Sequence, residues 1–184
     1  MNKTTQITIA GFGGQGVMLL GQTLAFAGNE VGLNTLWYPS YGPETRGGTA
    51  NCAVTISNTQ INSPIFSKAN TLIALNIPSL KKFENKVLNE GNIIYNSNMI
   101  LEEVKKENVH VYPVPANDIA IKLGNQRVSN MVILGAYLEV SKDFTPLIIG
   151  EALKHILKED KQDFIPINLK AIEAGMAFIK GLQL

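Results

Sequence analysis

The sequence predicts an α/β fold: a doubly wound, mostly parallel, Rossmann-like sheet carrying an antiparallel hairpin and extra helices at its C-terminal end. Three observations predict it. The β-branched run Ile7-Thr8-Ile9-Ala10 stops at a glycine cluster and is followed by an apolar stretch from Val17 to Val31, which reads as strand, tight turn and helix. Short apolar runs then recur with helical patterns between them, and the last third of the chain is mainly helical.

Length and composition set the frame. The chain has 184 residues, and at roughly 150 residues per domain this predicts one domain spanning residues 1–184. Sixteen Lys and Arg against fifteen Asp and Glu leave a net charge of +1, so no basic face is expected to hold a nucleic acid. Cys52 is the single cysteine, which excludes an internal disulfide and a zinc-ligand cluster and makes a reducing cytoplasm the expected compartment. The first apolar run is too short for a signal peptide or a membrane span, so no membrane association is expected.

In chain order, Leu33 to Tyr38 reads as a second strand closed by Pro39, which completes a βαβ unit with a right-handed crossover. Ser40 to Thr49 is too rich in glycine and proline for a regular element and is expected to be a structured loop. Asn51–Ile56 and Gln60–Ile65 flank Ser57-Asn58-Thr59 as a hairpin. Thr71–Leu75 is a buried-type strand, Pro78 opens a helix over Ser79–Asn89 that Gly91 ends, and Asn92–Asn96 is the next strand. Asn108–Val114 is a strand and Asn117–Leu123 a short helix before Gly124. Three further helices are expected over Ser129–Val140, over Pro146–Leu157 with Thr145 as N-cap, and over Pro166–Lys180 with Gly181 after it. Met131 to Ala136 is so apolar that the helix faces either the chain's own core or another subunit.

Gly11-Phe12-Gly13-Gly14-Gln15-Gly16 matches G-x-G-x-x-G in the strand-to-helix setting that the dinucleotide fingerprint requires. Such glycines let backbone N–H groups and a helix N-terminus approach a phosphate; the alternative is that they only permit a close turn. The second strand carries no acidic residue to hold ribose hydroxyls, which argues against NAD. Val17 and Met18 stand where a P-loop needs Lys and Ser/Thr, which argues against nucleotide hydrolysis. A second loop, Tyr41-Gly42-Pro43-Glu44-Thr45-Arg46-Gly47-Gly48, sets Glu44 and Arg46 between residues that restrict the backbone. Arg46 can offer a guanidinium fork to a phosphate or carboxylate, or pair with Glu44 or a neighbouring chain.

Together the two loops resemble the gamma subunit of the 2-oxoacid:ferredoxin oxidoreductases. Leu123-Gly124-Asn125, Asn130-Met131-Val132 and Leu134-Gly135-Ala136 are similar to that family's later signature, the length is similar to that of the free-standing gamma chains of its 2-oxoglutarate and branched-chain members, and the overall resemblance is to the 2-oxoglutarate members. The resemblance implies a multi-subunit enzyme that decarboxylates a 2-oxoacid on thiamine diphosphate, passes electrons through iron–sulfur clusters and makes an acyl-coenzyme A. It implies alpha, beta and ferredoxin-like delta subunits as partners, and no cofactor or metal bound by this chain alone. One cysteine cannot hold an iron–sulfur cluster. His110 and His155 read as structural or surface residues, so no catalytic residue is expected here. Pyruvate and 2-oxoisovalerate remain alternative substrates, and a stand-alone dinucleotide-binding protein the alternative class.

The residues expected to form the site are Gly11, Gly13, Gly14, Gln15 and Gly16 with Tyr41, Gly42, Pro43, Glu44, Arg46, Gly47 and Gly48, gathered at the carboxyl edge of the sheet. That crevice either binds the nucleotide end of coenzyme A or docks a partner loop, with docking preferred because Glu44 lies beside the anion site. Trp37, Tyr38, Tyr41 and the apolar helix from Val132 to Leu138 also predict that the isolated chain either self-associates, as a homodimer, or is unstable.

Overall fold

The computed structural model describes residues 4–41 and 49–182. It consists of strands β1 (Thr4–Phe12), β2 (Asn34–Tyr41), β3 (Thr49–Ser57), β4 (Ala69–Ala74), β5 (Val87–Asn96) and β6 (Val109–Val114). The helices are α1 (Val17–Glu30), α2 (Ile77–Phe83), α3 (Ala116–Lys122), α4 (Ser129–Ser141), α5 (Pro146–Ile156) and α6 (Ile165–Leu182). One mixed sheet runs in the order β2-β3-β1-β4-β5-β6. β1, β4, β5 and β6 are parallel neighbours, while β3 is antiparallel to both β1 and β2.

The period-two alternation of the central strands divides the core between the two faces. Ile73 of β4 and Ile94 of β5 join Ile7 and Ile9 against α1, α3, α4, α5 and α6, while Leu72, Ala74, Ile93 and Tyr95 point the other way, onto Leu80 of α2 and Ile100. Strands buried on both faces read as continuous apolar runs, which is why these were visible in the sequence.

Three expectations about the strands are corrected. β1 and β2 run in the same direction but are not neighbours, because β3 is inserted between them. The antiparallel partners of Asn51–Ile56 are therefore β1 and β2, and Gln60–Ile65 forms no strand. A strand buried between two neighbours satisfies both rows of its backbone groups, whereas a hairpin with the polar 60–65 segment would satisfy one. Pro39 does not close β2: the strand continues to Tyr41, and because β2 is an edge strand the missing N–H costs no essential ladder bond.

The helix expected to reach Asn89 ends at Phe83, passes through a 3-10 turn over Glu84–Lys86, and gives way to β5 at Val87. Val87 is buried and pairs with Ala69, and the register shifts between Ala69 and Thr71. Gly91 sits inside this irregular stretch, where a Cβ would come within 2.8 Å of the Asn70 and Leu88 carbonyl oxygens. Its role is close backbone approach in a bulge rather than ending a helix.

The apolar helix α4 lies in the chain's own core, with Met131 to Leu138 almost completely buried. Of the two alternatives the sequence left open, the structure shows the chain's own core. Its crossing with α6 is the most extensive helix–helix contact. A Cβ at Gly135 would overlap the Ile172 carbonyl, and one at Gly175 the Val132 carbonyl, so the two backbones touch where each glycine faces the other helix. At its C-terminal end the buried Glu139 pairs with Lys142 and Lys180, and the Tyr137 hydroxyl donates to Asp143 at 2.7 Å. Burial pushes the Tyr137 phenol well above its usual range, and the Asp143 charge adds to the rise.

Candidate functional site

Parallel strands deliver their following loops to one edge of the sheet. Gly11 at the end of β1 and Tyr41 at the end of β2 both stand opposite Ala50 of β3, so the two loops leave from the same edge, one strand apart. Tyr41 is 70% exposed there. Gly42, Pro43, Glu44, Arg46, Gly47 and Gly48 lie outside the described residues.

The glycine loop is a built turn. The Gln15 N–H donates to the Phe12 carbonyl at 3.1 Å, and Gly14 and Gly16 take φ values of 94° and 82°, which are open to glycine at little cost. The Gln15 carboxamide is tied into the protein: its Oε1 accepts from the Phe12 N–H at 2.7 Å and from Asn76 Nδ2 at 3.0 Å, and its Nε2 donates to the Leu75 carbonyl at 3.3 Å. Asn76 also caps α2 by accepting from the Ser79 N–H at 2.9 Å. Gln15 thus ties the glycine loop to the turn after β4. Gly11 is required by this staple, since a Cβ there would lie 2.8 Å from Gln15 Oε1 and 2.9 Å from Val17 Cγ2. Gly16 backs onto the Asn130 side chain, leaving no room for a Cβ.

Gly13 and Gly14 differ from these. No described atom beyond their chain neighbours lies within 4 Å of where a Cβ would stand. Helix α1 begins at Val17 with no side-chain cap and no acidic residue in its first turn, so its N-terminal N–H groups and positive dipole end are open.

Beside this loop lies a crevice of about 720 Å³, within the range of roughly 300–1,000 Å³ typical of small-molecule sites. It is walled by Gly14, Gln15 and Gly16, by the ends of β4 and β5, by the 3-10 turn Gln126–Val128, and by Lys161, Phe164 and Asn168 near the start of α6. The sheet order places it between β1 and β4, where the parallel strands diverge in sequence order and doubly wound folds put their ligands. It extends from the glycine loop toward β4 and β5, away from Tyr41, which is not among its walls.

Asn125, Arg127, Asn130, Lys161 and Asn168 were not among the expected site residues, although Asn125 and Asn130 fall in the later family signature. The available signal was a polar residue on an otherwise apolar helix face. Asn168 shares the buried stripe of α6 with Ile165, Ala171, Ile172, Gly175 and Ile179, and Asn130 begins the wholly buried run of α4.

The other chemically notable groups are structural. Cys52 is buried against Gly21 and Trp37, its thiol faces the Val17 carbonyl at 3.6 Å, and burial pushes it up to about 12 despite the indole and the Gly21 backbone beside it. A thiol so raised is a poor nucleophile. His155 lies 3.4 Å from Glu30 and stacks on Phe26, and His110 lies 3.5 Å from Glu90, both at the surface. Among the described residues no group of His, Cys, Asp and Glu could hold a metal ion. None of their helices is long and apolar enough to cross a membrane.

Comparison with known proteins decides the family. The family model described as pyruvate ferredoxin/flavodoxin oxidoreductase matches residues 6–178. The chain belongs to this family. Among curated proteins, it is 39% identical over 179 residues to the ketoisovalerate oxidoreductase subunit VorA of Methanothermobacter marburgensis, covering 94% of this chain but 36% of that protein. The chain thus spans about a third of the length of the VorA relatives. It is 32% identical over 181 residues to the 2-oxoglutarate synthase subunit KorC of the same organism, covering 95% of this chain and 96% of KorC. Among solved structures, the gamma subunit of a keto/oxoacid ferredoxin oxidoreductase from Geobacter sulfurreducens superposes with a TM-score of 0.81 at 25% identity, covering 96% of this chain and 99% of that one. A 2-oxoglutarate:ferredoxin oxidoreductase from Magnetococcus marinus, solved with 2-oxoglutarate, coenzyme A and succinyl-CoA bound, superposes at 0.86 with 25% identity over 97% of this chain and 31% of that one. The family's relatives are subunits of oxidoreductases.

Proposed function

We propose that this oxidoreductase family member is the gamma-type subunit of a multi-subunit 2-oxoglutarate:acceptor oxidoreductase, required by the complex and without turnover of its own. The observation that carries the reading is the end-to-end correspondence with KorC, which covers 96% of a separate subunit rather than one portion of a longer chain. Thiamine diphosphate, iron–sulfur clusters and coenzyme A are the cofactors of such a complex. They fall to its alpha, beta and ferredoxin-like delta subunits in this reading, in keeping with a single, buried, unreactive cysteine here. The higher identity to VorA supports a second reading, in which the substrate is 2-oxoisovalerate.

At the carboxyl edge, the open Gly13 and Gly14 and the exposed Tyr41, with Glu44 and Arg46 of the second loop, dock a partner loop or receive the nucleotide end of coenzyme A. The Gln15 side chain holds the glycine loop while it lines the crevice. The test is reconstitution with the alpha, beta and delta subunits and assay with 2-oxoglutarate, 2-oxoisovalerate and pyruvate, using a viologen dye as acceptor. The expected result is turnover only in the full complex and highest kcat/KM for 2-oxoglutarate. Turnover by the isolated chain overturns the reading. In the same complex, an Arg46→Ala variant that assembles but has a raised KM for coenzyme A supports the nucleotide role, and loss of assembly supports docking.

A further inference from the structure

The end of the sheet remote from the glycine loop carries a second cavity. Thr4 and Gln6 of β1 stand opposite Ser57 and Thr55 of β3, and strand alternation turns these four side chains to the face away from Ile7, Val54 and Ile56, which belong to the core under α1. The chain after β3 folds back over them, so that Gln60, Ile61, Asn62 and Ile65 close a pocket of about 210 Å³. Thr55 lies on its floor. The residue is 2% exposed, and its Oγ1 is buried with no hydrogen-bond partner among the described residues. Its neighbours are satisfied: Ser57 Oγ lies 2.8 Å from Thr4 Oγ1 and accepts from the Thr59 N–H at 3.1 Å. Trp37 Nε1 also lacks a partner, but it is shut in beneath α1, where a Cβ on Gly21 would stand 2.7 Å from it. Buried polar groups are nearly always paired, so an unpaired hydroxyl at the floor of a polar pocket is a group left for a ligand to complete.

The charge map decides the class of ligand. No wall of the pocket is charged, and from Thr4 to Ser67 the only charged residues are Glu30, Glu44 and Arg46. Glu30 ends α1 on the opposite face, and Glu44 and Arg46 come after Tyr41, which ends β2 at the other edge of the sheet. An ion entering here would lose water and find no counter-charge. Ile61 and Ile65 set hydrocarbon beside the hydroxyls and carboxamides, a pairing that water matches only in part. The volume lies below the roughly 300–1,000 Å³ of drug-sized sites. We propose that this pocket binds a small neutral polyol: Thr55 Oγ1 pairs with one ligand hydroxyl, the Gln60 and Asn62 carboxamides hold the others, and Ile61 and Ile65 lie against the carbon frame. The site is separate from the crevice beside the glycine loop, and the inference is independent of the subunit assignment and of which 2-oxoacid the complex uses.

The test is a methyl NMR titration of the full chain with glycerol. The Thr55, Ile61 and Ile65 methyl resonances are expected to shift to saturation with a Kd below about 0.1 M, a modest demand on a ligand this small, while the methyls of Ile133 in the core stay still. Acetate, which is charged, and 1-propanol, which has one hydroxyl, are expected to bind at least about tenfold more weakly. Thr55→Val keeps the side-chain shape without the hydroxyl and is expected to weaken glycerol at least about tenfold without lowering the urea midpoint, because no hydrogen bond of the free chain is lost. Asn62 is exposed on the cover, so Asn62→Ala leaves the fold intact and is expected to weaken glycerol as well. Shifts that grow linearly without saturating mean that the pocket holds water only and overturn the site. An equal response to acetate, or unchanged glycerol affinity in both variants, also overturns it. A lowered midpoint for Thr55→Val would show that the hydroxyl already has a partner and removes the premise.

Discussion

Glycines do opposite work in two regions of this molecule. Where α4 crosses α6, Gly135 and Gly175 each press against a carbonyl of the opposite helix, so the missing side chains are filled by the chain's own backbone. In the loop after β1, Gly13 and Gly14 have no such neighbour among the described residues. The first arrangement is finished packing, and interiors at close-packed density tolerate no added methyl without movement. The second leaves backbone exposed at a helix N-terminus beside a crevice. One residue type therefore stands both in closed packing and on open backbone, and only the neighbours tell the two apart.

The largest effect expected of a single substitution at neutral pH tests the closed region. Gly135→Ala or Gly175→Ala forces the helices apart and is expected to cost about 3 kcal/mol, seen as a lowered urea midpoint at an unchanged m-value. A loss below about 0.5 kcal/mol, ordinary for a surface change, would break the comparison. Next comes the staple that fixes the open loop. Gln15→Ala removes three hydrogen bonds and strands the Phe12 N–H, for an expected loss of about 2 kcal/mol. Faster hydrogen exchange at the Phe12 amide is its specific signature.

A pH series probes the sealed flank of α1, where Gly21 accommodates Cys52 and Trp37. Burial raises the folded thiol to about 12, while in the unfolded chain it titrates near about 8.5. The folded state thus keeps the proton longer, and this contribution to stability is fully present below about pH 8.5 and is lost as pH rises toward the folded value. Stability is expected to fall by about 1.4 kcal/mol per pH unit from this group within that window. Tyr137, also raised by burial, acts in the same direction at higher pH. Cys52→Ala is expected to flatten the alkaline slope of the urea midpoint, and an unchanged slope would show that the thiol is not sealed.

The two smallest effects belong to the open loop. Gly14→Ala places a side chain at φ 94°, and strain at such a position is expected to cost about 1 kcal/mol. Gly13→Ala meets neither a clash nor a positive φ, and its cost to the isolated chain is expected to stay within about 0.5 kcal/mol. In the assembled complex the same Gly13→Ala change is expected to weaken coenzyme A use or assembly. A complex indifferent to it would show that the open space faces solvent and nothing else.

The sequence by itself determined the elements whose cause is local. Thr145 capping α5 from before Pro146, the apolar runs of β4 and β5, and the glycine turn between β1 and α1 all follow from propensity, periodicity and capping within a few residues. The paired loops and the later signature also carried the family, because their spacing survives where side-chain contacts are invisible. Long-range pairing was decided by the tertiary structure. Nothing near Asn51–Ile56 states that it lies between β1 and β2, and nothing near Val87 states that Ala69 draws it out of a helix. The site shows the same division. Gly13 and Gly14 were legible as part of a strand-to-helix turn, yet Gln15 became a staple only through Leu75 and Asn76, some sixty residues away. Asn130 and Asn168 came to line one crevice only when α4 and α6 brought them together. A residue's local preference is set by its own chain neighbours, but whether its polar atoms are satisfied depends on groups that only folding brings within hydrogen-bonding distance.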